Sequence, residues 1–291
     1  MKLSKLITIF SFLSALVLLS ACGDCCKSKT YKLSVMDGVL GPSYRLKPTS
    51  LDKAKELGFD GVQISGHNAK GAEFLSQAEI DAYNKKKAET GIEIPSVVVA
   101  DVRFFDNPDC VRAIKSAIDA ASKLGAKTIL VAFFGKNKIT DSNKKLIEAY
   151  VPQVVGALKE IMPYAQEKGI LLCMENTLSA DDNIRLIKMV GSPNLKVYFD
   201  VFNIVYYGHE EISSIEKLAD GYIGEIHLKD EGHKFGSSNT KPKNFLACLD
   251  AIKKIKYDNQ WICFELHAFN HKKSKSDEIL KYNINYVKEN F

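Results

Sequence analysis

Four side chains of metal-ligand type stand at the ends of four successive apolar runs. The run at 170–174 leads into "MENT", with Glu175, Asn176 and Thr177. The run at 195–200 ends on Asp200 in "YFDVFN". The run at 222–228 contains His227 within "EIHLKD", and the run at 260–265 ends on Glu265 in "CFELH", which also holds His267. Three carboxylates and one imidazole form a donor set for a single divalent cation such as Mn²⁺, Mg²⁺, Co²⁺ or Zn²⁺. Brought together without a cation, three carboxylates repel, and some take up protons instead. One strand-end glutamate is usually solvated or ion-paired, and one histidine is usually structural. The weight therefore rests on the set, one residue per run in four consecutive runs.

These side chains meet only if the runs end on a common rim. After residue 30, short apolar runs recur at 31–36, 61–65, 94–100, 127–133, 170–174, 195–200, 222–228 and 260–265. Runs this apolar suit parallel strands covered on both faces. Helical patterns separate them. In "CVRAIKSAIDAASKL", Val111, Ile114, Ile118, Ala121 and Leu124 fall at three- and four-residue steps and make one apolar face. Glycine closes several helices before the next strand, in "ELGFDGV", "KLGAKTI" and "EKGILLC". In "SPNLKVYF" a proline and an asparagine are expected to do the same.

Eight strand–helix units in roughly 260 residues predict an α/β protein of the (β/α)₈ TIM barrel type. An open doubly wound sheet usually carries a glycine-rich phosphate loop after its first strand. Here the first strand leads into "MDGVLGPSYRLKP", which has none. In a (β/α)₈ barrel the active site lies at the C-terminal ends of the strands, where Glu175, Asp200, His227 and Glu265 are expected.

The stretch "CMENTLSADDNIRLIKMVGSPNLKVYFDVFN", followed by "YIGEIHLKD" and "WICFELH", resembles the sugar isomerase/epimerase branch of the xylose isomerase-like TIM barrels. That branch includes ketose 3-epimerases and inosose-processing enzymes. The likeness spans about residues 31–291 and is strongest from 170 to 265. It implies that Glu175, Asp200, His227 and Glu265 bind one divalent metal ion. It also implies that Glu175 and Glu265 are the acid/base pair, one removing a proton beside a sugar carbonyl and the other returning one to the opposite face. The implied activity is metal-dependent isomerisation or epimerisation of a sugar or keto-sugar through an enediolate.

Outer contacts to a small-molecule sugar are expected from His67, Asn176, Asn203 and Lys229. Each has a plainer alternative. His67 can be a solvated loop residue, and Lys229 can pair with Asp230. Phe133, Phe134 and Trp261 are read as core packing rather than sugar platforms. The chain departs from the ketose 3-epimerases in two places. Asn203 stands where they carry a substrate-binding histidine, and "EGHKFGSSNTKPKNF" replaces a glycine–acid–glycine turn. Both departures concern the substrate and leave the ligand set intact. The same residues would serve a lyase or hydratase acting on 3-keto-glycosides. A third reading is a non-catalytic sugar-binding lipoprotein. A DNA-repair endonuclease of this superfamily needs more histidines than the six present.

The N-terminus "MKLSKLITIFSFLSALVLLSAC" has Lys2 and Lys5, then an apolar run from Leu6 to Leu19, which reads as an export signal. "LSAC" resembles the bacterial lipobox, which implies cleavage before Cys22 and lipid on Cys22. The expected organisation is a lipoprotein signal peptide at 1–21, a lipidated tether at 22–30 and a catalytic barrel at 31–291. The protein would be exported and lipid-anchored to a bacterial membrane, on its periplasmic or cell-surface face. There it would meet unphosphorylated sugars.

Of seven cysteines, Cys25 and Cys26 fall in the tether, and Cys173 and Cys263 are expected as buried thiols in strands. Cys110 and Cys248 are widely spaced from these, and no Cys-x-x-Cys zinc spacing occurs. A content of 46% hydrophobic and 26% charged residues is that of a soluble globular chain. The net charge of +5 comes from 40 basic and 35 acidic residues that are scattered, which argues against a nucleic-acid partner. The oligomeric state is not encoded in any of these features.

Overall fold

Eight parallel strands close into a barrel in sequence order, with the first hydrogen-bonded to the last. They are β1 (Lys32–Met36), β2 (Gly61–Ser65), β3 (Ser96–Val99), β4 (Thr128–Ala132), β5 (Leu171–Glu175), β6 (Leu195–Asp200), β7 (Ile223–Leu228) and β8 (Trp261–Phe264). Each falls within one of the predicted runs, except that β5 extends one residue further, to Glu175. The computed structural model describes residues 31–67, 73–100, 109–237, 241–255, 257, 259–266 and 277–291. The export signal, the tether and Cys22, Cys25 and Cys26 lie outside the described residues, as does His267. The barrel unit is Tyr31–Phe291.

Helices follow the strands around the outside: α1 (Ser50–Leu57), α2 (Gln77–Thr90), α3 (Cys110–Leu124), α4 (Val151–Glu167), α5 (Ala180–Val190), α6 (Val201–Tyr206), α7 (Glu211–Leu218), α8 (Phe245–Lys254) and α9 (Asp277–Asn290). The apolar stripe predicted for α3 is the buried one, with Ile114, Ile118, Ala121 and Leu124 inside. Ser76 caps α2 in a reciprocal box with Glu79, and Ser179 caps α5. One expected stop is corrected. Helix α5 ends on Gly191, at φ 77°, whose N–H bonds to Ile187 O, before the proline and asparagine of "SPNLKVYF" are reached. No helix of the described residues is long and apolar enough to cross a membrane.

Strand alternation divides the side chains between two environments. Leu172, Met174, Val197, Phe199, Ile226, Leu228, Ile262 and Phe264 belong to the main apolar core. Their neighbours of opposite parity fill the lumen. A small apolar cluster of Val98, Leu130, Cys173 and Tyr198 lies there. The same parity carries Glu175, Asp200 and His227 to the rim, and it carries Gln63, Ser96 and Glu225 below it. The runs that read as apolar on both faces are therefore apolar outside and partly polar inside.

One irregularity sets this parity in β7. Val197 pairs with Ile223, but Tyr198 pairs with Glu225, so Gly224 is an extra residue in the strand. The bulge places Asp200 opposite His227. Without it Ile226 would take that position and His227 would turn toward the helices. Only glycine fits at the bulge, because a Cβ there would lie 2.2 Å from Cys173 Sγ and 2.9 Å from Lys196 Cβ. Cys110, Cys173, Cys248 and Cys263 are all buried free thiols. Phe133 and Trp261 are buried, as expected; Trp261 opens β8 and packs where a Cβ on Gly61 would stand. Phe134 is half-buried and stacks on Tyr207, with centroids 6.1 Å apart.

Candidate active site

The ends of β5, β6, β7 and β8 bring Glu175, Asp200, His227 and Glu265 together, with one ligand atom from each within 4.8 Å of all the others. His227 is fully buried and Asp200 and Glu175 nearly so, whereas Glu265 is partly open to the rim. His227 Nδ1 lies 3.2 Å from Glu175 Oε1 and 3.0 Å from Glu265 Oε2. Nδ1 is within hydrogen-bond reach of Glu175 Oε1, whereas Glu265 Oε2 is close to it without a hydrogen-bond partner. Asp200 begins α6 as its N-cap: Oδ1 accepts from the Phe202 and Asn203 N–H groups, at 2.7 Å each. Its other oxygen, Oδ2, is buried with no hydrogen bond.

A divalent cation fits this arrangement. Two buried carboxylate oxygens, Asp200 Oδ2 and Glu265 Oε2, accept no hydrogen bond, although Lys229 Nζ lies 3.5 Å from the first and His227 Nδ1 3.0 Å from the second, and they border a third carboxylate. Buried acceptors without partners are costly unless something positive satisfies them. Hard oxygens with one imidazole suit Mn²⁺, Mg²⁺, Co²⁺ or Zn²⁺.

The electrostatics of the ion-free site agree. Burial pushes the Asp200 carboxyl up to about 7; the Lys229 ammonium opposes the rise, and the Glu265 and Glu175 charges add to it. Burial alone would lower the His227 imidazolium. The Glu175 charge, with the Cys263 thiol and the Glu175 and Glu265 carboxylates beside the ring, instead holds it well above the usual histidine range. Burial likewise opposes the charge on Glu265, but the ammonium of Lys229 and His227 hold this carboxyl far below the usual range.

Asn203 and Lys229 also reach the site. Asn203 donates from Nδ2 to Glu175 Oε1 at 3.1 Å. Lys229 Nζ is 2.7 Å from Glu265 Oε1 and 3.5 Å from Asp200 Oδ2. The alternative pairing of Lys229 with Asp230 is thereby corrected: alternation turns Lys229 into the lumen mouth beside the carboxylates, while Asp230 Oδ1 accepts from the Gly232 N–H. His67 and Asn176 are engaged elsewhere. His67 is exposed, with Nε2 2.6 Å from Glu79 Oε1 at the start of α2. Asn176 accepts from the Leu178 N–H and bonds to Asn183, which braces the turn into α5.

Sequence reading missed the lumen residues beneath the site. Gln63 Oε1 lies 2.9 Å from His227 Nε2. Its amide nitrogen donates to Ser96 Oγ and Tyr198 Oη. Both hydroxyls donate to Glu225 Oε1, and Asn259 Nδ2 donates to Glu225 Oε2. A signal was present: Glu225, His227 and Lys229 fall at alternate positions in "EIHLKD", and Gln63 interrupts the apolar run "GVQIS".

A family model described as xylose isomerase-like TIM barrel matches residues 51–289. A 2-epi-5-epi-valiolone 7-phosphate 2-epimerase of Actinoplanes sp. is 26% identical over 212 residues, which is 70% of this chain and 74% of the relative. D-allulose 3-epimerase from Methylomonas sp., solved with D-allulose, aligns with a TM-score of 0.70 at 14% identity, covering 90% of this chain and 98% of that one. L-ribulose 3-epimerase aligns with a TM-score of 0.71 at 16% identity, covering 89% and 94%. For 3-keto-D-glucoside 4-epimerase from E. coli the TM-score is 0.66 at 15% identity, covering 89% and 99%. At these identities the solved structures establish the shared fold.

Proposed function

The chain belongs to the xylose isomerase-like TIM barrel family, and from that premise we propose that it is a divalent-metal-dependent epimerase or isomerase of an unphosphorylated sugar or keto-sugar. The observation that carries this reading is the pair of glutamates. Glu175 and Glu265 approach His227 Nδ1 at 3.2 and 3.0 Å, from strands three places apart on the rim. Two carboxylates that face one reacting centre from different strands can remove a proton on one side and return one on the other, which is what inversion of a carbon requires. The sugar epimerases among the relatives point the same way.

Held by Glu175, Asp200, His227 and Glu265, a divalent cation supplies Lewis acidity that stabilises the negative charge developing as a proton leaves beside a carbonyl. The residues divide the remaining work. Asn203 steadies the Glu175 carboxylate through its amide. Lys229 steadies Glu265 and places a positive charge at the rim, where an oxyanion would develop. Asp200 and His227, fixed by the α6 N-terminus and by Gln63, serve as ligands.

The preference for an unphosphorylated substrate rests on the export signal read in residues 1–21 and on the expected lipid at Cys22. The Actinoplanes relative is named for a sugar phosphate, so substrate panels should hold both kinds. Metal-loaded protein is incubated in D₂O with free sugars, their phosphates and 3-keto-glycosides. The expected result is deuterium uptake with an unchanged carbon skeleton and interconversion of epimers of a free sugar. Exchange confined to phosphates would overturn the substrate class, loss of mass would mark a lyase, and no exchange on any substrate would overturn the enzyme reading. Radiolabelled fatty acid on the full chain, absent from Cys22→Ser, is the expected outcome for the anchor.

A further inference from the structure

The ring of His227 has two nitrogens, and the lumen decides which one faces the metal. We propose that Gln63 is a positioning residue that holds the Nε2 hydrogen of His227, so that Nδ1 is the nitrogen left to bind the cation. The inference rests on the metal reading of the site and names a residue outside the ligand set.

Glu225 stands two residues before His227 in β7. Ser96 Oγ–H donates to Glu225 Oε1 at 2.7 Å, and Tyr198 Oη–H donates to the same oxygen at 2.8 Å. Each hydroxyl has one hydrogen and has given it to the carboxylate. Toward Gln63 both can only accept. The Gln63 Nε2 group lies 2.9 Å from Ser96 Oγ and 2.8 Å from Tyr198 Oη, so its two hydrogens satisfy both. The amide oxygen must then be the atom turned to His227 Nε2, 2.9 Å away. An amide oxygen only accepts, so Nε2 carries a hydrogen. The imidazole that binds a metal is neutral and has only one, so its Nδ1 then offers a lone pair between Glu175 and Glu265.

The Cys263 thiol also touches the ring. A thiol donates or accepts weakly, so it follows this polarity without setting it. Gln63, Ser96, Glu225 and His227 have no solvent exposure, and Tyr198 has almost none. Water cannot supply a substitute hydrogen bond, and a reversed amide would set its oxygen against two hydroxyl oxygens whose hydrogens are already given to Glu225. Partners behind a ligating histidine commonly change metal affinity about 10–100-fold when removed.

The test reads the ring directly. In ¹⁵N-labelled, zinc-loaded protein, long-range ¹⁵N–¹H spectra assign the His227 nitrogens. The expected result is a proton on Nε2 and none on Nδ1, and a proton on Nδ1 overturns the inference. Zinc affinity is then measured by chelator competition. Gln63→Met, folded by circular dichroism, is expected to bind zinc about 10–100-fold more weakly. Gln63→Glu, which keeps an acceptor opposite Nε2, is expected to keep the ring proton in place. Native zinc affinity and native ring protonation in Gln63→Met overturn the inference. If the native protein takes up no zinc, the proposed metal function falls. The metal-free spectrum still judges this inference, since a bare Nε2 there overturns it.

Discussion

Lys229 Nζ lies 2.7 Å from Glu265 Oε1 and joins the ends of the neighbouring strands β7 and β8 at the rim. It is also 3.5 Å from Asp200 Oδ2. The ammonium is thus the internal counter-charge for a cluster of three carboxylates, and the carboxylates in turn hold the Lys229 pKa far above its ordinary value against the effect of burial.

Replacing Lys229 by methionine should lower the stability of the metal-free protein by about 3 kcal/mol, because one partner of a buried ion pair is left uncompensated. Saturating divalent metal should recover most of that loss by supplying the missing positive charge. Thermal unfolding of both proteins, with chelator and with metal, measures the difference. An equal loss in both conditions would show that Lys229 does not offset the ligand charges.

Metal affinity should fall as the solution is made more acidic. In the ion-free site Asp200 titrates at about 7, pushed up by burial, and His227 is held well above the usual histidine range. The metal-free form therefore binds more protons than the metal-bound form at neutral pH, and lowering the pH favours it. Between about pH 8 and pH 6 the logarithm of the affinity should drop by about one to two per pH unit. Calorimetry in buffers of different ionisation enthalpy counts the released protons, and a pH-independent affinity would contradict this assignment.

Glu175→Gln and Glu265→Gln should each reduce turnover by about 10²–10⁴-fold. The two variants should differ in which epimer still exchanges its proton with D₂O. Loss of exchange from both epimers in both variants would mean that one base serves both faces.

Gly224→Ala should destabilise the barrel by about 1–3 kcal/mol, since the new Cβ would stand 2.2 Å from Cys173 Sγ. Cys173→Ala made alongside should return part of the loss, with the 2.9 Å approach to Lys196 Cβ remaining. Denaturant unfolding of the double-mutant cycle measures the coupling. Additive losses would place the strain elsewhere.

Much of the architecture was legible because parallel barrel strands are short and apolar, and glycine marks helix ends. The four candidate ligands were legible because each ends, nearly ends or directly follows its strand. The helix stop at Gly191 was misplaced because proline and asparagine two and three residues later carry the same kind of breaking signal. The alternative pairing of Lys229 with Asp230 fails because sequence adjacency hides strand alternation: Asp230 follows it in the chain, whereas Glu265 shares its face. His67 and Asn176 lie in loops, where tertiary hydrogen bonds to Glu79 and Asn183 decide their orientation. Gln63 and Glu225 were passed over because isolated polar residues in apolar runs look like noise until the register shows them sharing the lumen.

A barrel filled with aliphatic layers would tolerate heat better than one whose centre is threaded by Gln63, Ser96, Tyr198 and Glu225, since well-packed hydrocarbon often outperforms buried polar groups. Thermostability engineering that swaps this spine for leucine and valine should therefore yield hardier proteins with a freely swivelling imidazole. Melting temperature and metal occupancy would move in opposite directions along such a series, and selecting on the first alone would discard the second.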